Sequence, residues 1–270
     1  MRLWTRSSPR RVSFEAFGVQ AAITLGDPGL ETHIQAILPP GWSPSGAGEG
    51  PGQFGLREVD AGSYEVTVGG APWLEHATLD LALSMLDAQI RMFIAATARD
   101  WIFVHAGVVA QADRALVIPG ESFSGKTTLV SALVEAGATY YSDEYAVLDR
   151  DGRVHPYTRR LSIRGGDGTP TQERHVAELG GVEARDSAEI GTVIVTRYRR
   201  GVDWEPKRMS TGAGALALMA NTVPAQERPQ ESLRVLGRAV AKATVLESDR
   251  GEAGPVAAAL LADLAAAVVR

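Results

Sequence analysis

Residues Ala115-Leu-Val-Ile-Pro-Gly120-Glu-Ser-Phe-Ser-Gly125-Lys126-Thr127 decide the reading of this chain. Four apolar residues give a buried strand, and Gly120 to Thr127 match G-x-x-x-x-G-K-[ST] in full. A helical pattern follows from Lys126 to Glu135 and stops at Gly137. In this strand–loop–helix context the glycines let successive N–H groups turn toward phosphate oxygens, and the helix N-terminus adds a favourable dipole. The spacing therefore predicts a nucleoside triphosphate site on Gly120, Glu121, Ser122, Phe123, Ser124, Gly125, Lys126, Thr127 and Thr128. Lys126 would reach the β- and γ-phosphates, and the Thr127 hydroxyl would bind Mg²⁺.

Downstream, a short strand over Ala138–Tyr141 leads to Asp143-Glu144. If that strand lies beside the P-loop strand, its end delivers two acids near the phosphates. One could take the proton of an attacking hydroxyl while the other helps hold the metal. The run before them, Ala138-Thr-Tyr-Tyr-Ser142, is less aliphatic than a usual Walker B strand. Upstream, His105 sits in Val104-His-Ala-Gly107, and a lone histidine on an apolar strand is more often a core residue than a catalyst. His33, His76, His155 and His175 lack metal-ligand spacing, so a metal site built from protein ligands alone is not expected.

Further out, Trp101–Ala110 and Arg114–Pro119 read as strands around a turn at Gln111–Asp113. Tyr145–Leu148 and Val154–Tyr157 flank the hairpin signal Asp151-Gly152. Strands are expected near Leu161–Arg164, Thr192–Tyr198 and Thr244–Glu247, and helices over Gly214–Asn221, Gln230–Ala241 and Pro255–Val269. Gly165–Pro170 reads as a flexible loop that could close over an acceptor, with Arg159 and Arg160 nearby. A helix over about Thr78–Ala98 carries a stripe of Leu79, Leu83, Leu86, Ile90, Phe93 and Thr97, with Asp80, Asp87 and Arg91 largely off it. Before it, Val12–Leu25 is extended in type, residues 39–55 are rich in proline and glycine, and Ser63–Val68 alternates as a strand. The division expected is a small β-rich unit over 1–77 and an α/β nucleotide-binding core over 78–270.

The whole chain has 270 residues, 45% apolar and 22% charged, with no cysteine and a formal charge of −5. Disulfides, thiolate zinc sites and cysteine nucleophiles are excluded, and a nucleic-acid partner is disfavoured by the acidic balance. The absence of a membrane-length apolar run and of a signal-like start makes a cytoplasmic protein with no membrane partner the expectation. Of the 27 basic residues only Lys126, Lys207 and Lys242 are lysines, so one of the three sits in the loop.

Val104-His-Ala-Gly-Val108, the Gly120–Thr127 loop and Ala138–Tyr145 together resemble the HPr serine kinase/phosphorylase family, whose corresponding segments are Met-His-Gly-Val, Walker A and Ala-Asp-Asp before an apolar strand. The spacings His105 to Lys126 and Thr127 to Asp143 are similar too, and Ser162-Ile-Arg-Gly165 resembles the family's Glu-Ile-Arg-Gly more weakly. The resemblance covers residues 101–165 well and the rest in general pattern. It implies a P-loop kinase core of the HPr kinase/phosphoenolpyruvate carboxykinase type, using ATP and Mg²⁺. Asp143 would be the base that activates a serine hydroxyl, Glu144 would sit near the metal, His105 would lie close to the phosphates, and Arg164 would stabilise charge or position a loop. Self-assembly into a homo-oligomer is common in that family.

Three departures shape the expectation. Glu144 stands for the second aspartate, Ser162 stands for the glutamate, and the segment between Asp143 and Ser162 is shorter. A one-way kinase is therefore expected rather than a reversible kinase/phosphorylase. The chain is closer to stand-alone HPr-kinase-like proteins found beside peptide-modification genes, including lasso-peptide clusters, where the acceptor is a serine of a peptide or protein. The alternatives are a kinase for free serine or another small hydroxyl compound, and a non-catalytic nucleotide-binding regulatory module. The acid pair argues against the module, because binding alone needs no base.

Overall fold

A computed structural model describes residues 9–46, 52–120, 124–163 and 172–268, with side chains described to residue 264. Glu121, Ser122, Phe123, Arg164 and the Gly165–Pro170 loop lie outside the described residues. The chain is mixed α/β and divides into two compact units, residues up to Asp100 and residues from Trp101 onward.

The first unit runs β1 (Arg10–Ala16), β2 (Val19–Leu25), α1 (Glu31–Ile37), β3 (Ser43–Pro44), β4 (Gly52–Asp60), β5 (Ser63–Val68), β6 (Ala71–Ala77) and α2 (Leu79–Thr97). Its strands form one sheet in the order β3-β1-β2-β4-β5-β6. The extended stretch expected over Val12–Leu25 is a hairpin, turned at Phe17 and Gly18 with φ of 53° and 74°. Both residues are left-handed, the geometry a tight two-residue hairpin turn requires. Thr78 caps α2 by accepting from the Leu81 N–H. The buried face of α2 is Ala82, Leu86, Ile90 and Ile94. Asp87 is buried as well, bonded to Arg91 one turn on at 3.2 Å.

This helix packs on β4 and β5, and the edge-on contact of Phe93 with Phe54 is part of that packing. It therefore belongs with the first unit, so the division falls at 100/101 rather than 77/78. A helical stripe shows that a face is buried but not which sheet buries it.

The second unit runs β7 (Ile102–Gln111), β8 (Arg114–Pro119), α3 (Lys126–Glu135), β9 (Thr139–Ser142), β10 (Tyr145–Leu148), β11 (Val154–His155), β12 (Leu161–Ile163), β13 (Gln172–Arg174), β14 (Glu189–Tyr198), β15 (Lys207–Met209), α4 (Thr211–Met219), α5 (Pro229–Val240), β16 (Thr244–Arg250) and α6 (Ala253–Val268). The main sheet has the order β11-β10-β7-β8-β14-β16-β15, with β9 also paired to β7. β8, β14 and β16 are mutually parallel. β7 is antiparallel to both β8 and β9, so α3 carries a parallel crossover over β7. β9 does not lie directly beside β8, a placement that the sequence leaves open: β7, the histidine strand, stands between them.

The central strands are buried on both faces. Val109, Leu116, Ile118, Ile194 and Leu246 pack with Val130, Leu133 and Val134 of α3 and with Val256 and Leu260 of α6. On the other face Val108, Val117, Val193 and Val245 pack with Ala215 and Leu218 of α4 and Val235 and Leu236 of α5. Strands covered twice read as near-continuous apolar runs, which is why 102–110 and 115–119 were legible. Gly107 lets α3 close on β7, since a Cβ there would stand 2.6 Å from Val130 Cγ2. Among the described residues no helix is long and apolar enough to cross a membrane.

Candidate active site

The site grows from the C-terminal end of β8. The Gly120 N–H donates to the His105 carbonyl at 3.2 Å, which ties the start of the loop to the histidine strand. Lys126 Nζ donates back to the Gly120 carbonyl at 2.6 Å, joining the two ends of the motif. Gly125 is the residue before α3, with φ of +84°, a left-handed conformation that costs an ordinary residue about 1–2 kcal/mol. Its carbonyl accepts the Leu129 N–H, which opens the helix. The start of α3 thus presents amides with no partner inside the helix, as anion sites do.

The two acids occupy the break between β9 and β10. Ser142 pairs with Val108, and Tyr145 pairs with His105. The break is held by the Ser142 hydroxyl, which accepts the Glu144 and Tyr145 N–H groups at 3.0 and 2.9 Å. The unusual serine ending Ala138–Ser142 thus satisfies two amides that leave the ladder. The Ala106 N–H donates to the Glu144 carbonyl from the other side.

Asp143 is placed against the P-loop helix. Its Oδ2 accepts from the Thr127 hydroxyl at 3.2 Å, and its Oδ1 accepts from the Tyr140 hydroxyl at 2.9 Å. Burial pushes the Asp143 carboxyl up from its ordinary value; the Tyr140 bond opposes this, the neighbouring Glu144 charge adds to it, and the Thr127 bond opposes it. Tyr140 is fully buried, and burial followed by the Asp143 charge raises its phenol well above the usual range. It therefore stays a donor at every working pH.

Glu144 points elsewhere. Its Oε1 lies 4.0 Å from His105 Nδ1, and the two side chains are 35% and 30% exposed. The His105 ring lies against Tyr145 at 4.7 Å between centroids, and the His105 backbone N–H donates to the Asn221 carbonyl. The structure thus gathers Gly120, Ser124, Gly125, Lys126, Thr127, Thr128, His105, Asp143 and Glu144 around one end of the sheet.

The remaining singled-out residues fall into other roles. His155 bonds Asp149 at 2.8 Å and packs edge-on against Trp101, a structural histidine. Ser162, in the segment similar to Glu-Ile-Arg-Gly, is exposed on β12, which among the described residues pairs with β13. Among the described residues no group of three or more histidines, aspartates or glutamates is placed to hold an ion. A hydroxyl and a carboxylate 3.2 Å apart fit a magnesium ion, which takes one or two protein oxygens and leaves its other positions to phosphates and water.

Three residues that sequence reading passed over belong to this end of the sheet. Tyr140 and Ser142 hold the acids, and Arg250, at the end of β16, donates from Nη2 to the Gly125 carbonyl at 2.7 Å. A cavity of about 500 Å³ opens at the C-terminal ends of β14 and β16, with Arg197, Lys207, Asp203, Glu205, Glu247 and Asp249 in its lining.

The fold and site define a mixed α/β protein carrying a glycine-bounded loop between a buried strand and a helix. Neither a protein-family profile nor a curated protein matches the chain.

Proposed function

We propose that this protein is an ATP-dependent kinase that transfers the γ-phosphoryl group to a serine hydroxyl of a peptide or protein. The observation that carries the reading is the Thr127–Asp143 hydrogen bond, which joins the loop expected to bind phosphate to an acid 16 residues away. A simple nucleotide-binding module has no need of the second acid and the histidine beside it.

In this reading the loop amides and Lys126 bind the phosphates. Lys126 leaves the Gly120 carbonyl for a phosphate oxygen, a stronger acceptor. Thr127 and Asp143 would hold Mg²⁺, which supplies charge stabilisation for the transferred group. The acceptor oxygen bonds to the γ-phosphorus as the bond to the β–γ bridging oxygen breaks. The hydroxyl proton passes to a carboxylate, and the nucleoside diphosphate leaves.

The family resemblance gives the base to Asp143 and the metal to Glu144. The hydrogen bonds favour the reverse. Both oxygens of Asp143 already accept, one from Thr127, whereas Glu144 is a third exposed and stands by His105. A base must reach the proton that it takes, and Glu144 is the more accessible of the two. His105 would orient Glu144 or contact the phosphates.

A second reading, a kinase for free serine or another small hydroxyl compound, draws support from the cavity at β14 and β16. Its mixed lining of arginine, lysine and carboxylates suits an ammonium and a carboxylate together. Incubation with γ-labelled ATP, Mg²⁺, serine-containing peptides and free serine separates the readings. Label in phosphoserine of a peptide supports the first, label in free phosphoserine the second. Tight ATP binding with no transfer to any hydroxyl acceptor would refute both.

A further inference from the structure

Arg250 is a buried cation with no ion pair to a carboxylate within 4 Å among the described residues. The residue is 2% exposed. Nη2 donates to the Gly125 carbonyl and Nη1 to the Gly251 carbonyl, while Nε has no acceptor among the described residues. Its aromatic neighbour is Tyr198, with the ring centroid 5.6 Å from the guanidinium carbon. Glu252 attracts it from a distance, but the carboxylate is engaged by the Tyr198 hydroxyl. A guanidinium cannot shed its proton to escape burial. Two carbonyls, an aromatic face and the Glu252 charge shared with Tyr198 offset that burial only in part, and an arriving anion would complete it.

Its position says which anion. β16 lies two strands from β8, parallel to it, and Arg250 stands at the strand end where open α/β sheets bind ligands. The Gly125 peptide that it holds is the turn into α3. A Cβ on Gly125 would stand 2.7 Å from Nη2, so the loop and the arginine are fitted to each other. A second buried polar atom without a described partner, the Ser124 hydroxyl, belongs to the residue before it.

We propose that Arg250 is a further phosphate-site residue: it positions the Gly125 peptide and supplies a fixed positive charge that the bound triphosphate neutralises. The proposal rests on the nucleotide reading of the loop and adds to it a binding residue outside the motif. Its expected signature separates it from a structural strut. Removing a cation whose burial is only partly offset should leave the free protein about as stable, and should weaken the nucleotide.

The test compares wild type, Arg250→Met and Arg250→Lys by thermal unfolding and by calorimetric titration with ATP and Mg²⁺. Arg250→Met is expected to unfold close to the wild-type temperature without nucleotide and to bind ATP roughly ten- to a hundredfold more weakly, as for loss of a hydrogen-bonded charge. Its affinity should also depend less on salt. Arg250→Lys keeps the charge but not the fork that reaches both carbonyls, and should bind between wild type and Arg250→Met. Wild-type affinity in Arg250→Met, together with a lower unfolding temperature, would show a strut and overturn the proposal. If Arg250→Met fails to fold, that loss itself counts against a charge whose burial is only partly offset, and binding by Arg250→Lys more than a hundredfold weaker would count likewise. Absence of ATP binding in the wild type is a separate outcome: it removes the nucleotide reading and this proposal with it.

Discussion

Tyr140→Phe deletes one atom, the hydroxyl that donates to Asp143 Oδ1 at 2.9 Å, from a fully buried ring whose packing otherwise stays. A hydrogen bond to an ionised group contributes about 1.5–3 kcal/mol, and to a neutral one about 0.5–1.5 kcal/mol. The cost of the substitution therefore depends on whether Asp143 is charged. Burial already raises the Asp143 carboxyl above its unfolded value, so the folded state holds the proton to higher pH. Where the folded state binds more protons, stability falls as pH rises. The Tyr140 bond limits that fall because it favours the charged form. Without it the folded value rises further, by about one unit for each 1.4 kcal/mol lost.

The variant should thus show its smallest deficit, about 0.5–1.5 kcal/mol, at a pH below the ordinary aspartate range and become progressively less stable as pH climbs to neutrality. A domain of this size loses about 2–4 °C in unfolding temperature per kcal/mol, so the gap should widen by several degrees across that window. The assay is thermal unfolding of both proteins over a pH series without nucleotide. A gap of the same size at every pH would show that the bond is indifferent to the charge on Asp143, and a gap that closes with rising pH would refute the sign of the argument.

Two further substitutions probe the loop and the acids. Gly125→Ala forces a side chain into a left-handed φ of +84° and against Arg250, and should cost roughly 1–3 kcal/mol, read as a lower unfolding temperature and weaker ATP binding; an unchanged unfolding temperature would show that the loop relaxes freely. Asp143→Asn should weaken Mg²⁺-dependent nucleotide binding, whereas Glu144→Gln should keep ATP affinity and lower transfer by about 10²–10⁴-fold. The opposite pattern in the same pair of assays would restore Asp143 as the base.

The elements around the loop were legible because each carried a strong local signal. α3 begins and ends where the glycines and helical spacing put it, at Lys126 and Glu135, and β8 coincides with the apolar run Arg114–Pro119. What escaped was pairing. Nothing local in Ile102–Gln111 says that it lies between β8 and β9, since strand order comes from long-range packing. The short α1 and the two-residue β3 carry too few positions for a period to show. In the site, the motif and the acid pair were readable from spacing, and Asp143 does meet Thr127. Tyr140 and Ser142 were visible only as an unusual composition before the acids, because a hydroxyl that holds a turn has no motif of its own. Arg250 had no signal at all: it lies 125 residues from Gly125, and one arginine among many is silent until the sheet brings it to the loop.

Calorimetric titration of wild type and Lys126→Ala with ATP and Mg²⁺ tests the central claim most directly. A triphosphate site on this loop predicts saturable binding by the wild type and loss of both binding and nucleotide turnover in a Lys126→Ala protein that unfolds at the same temperature. Equal affinity and full turnover in the two proteins, or no binding by either, would contradict it.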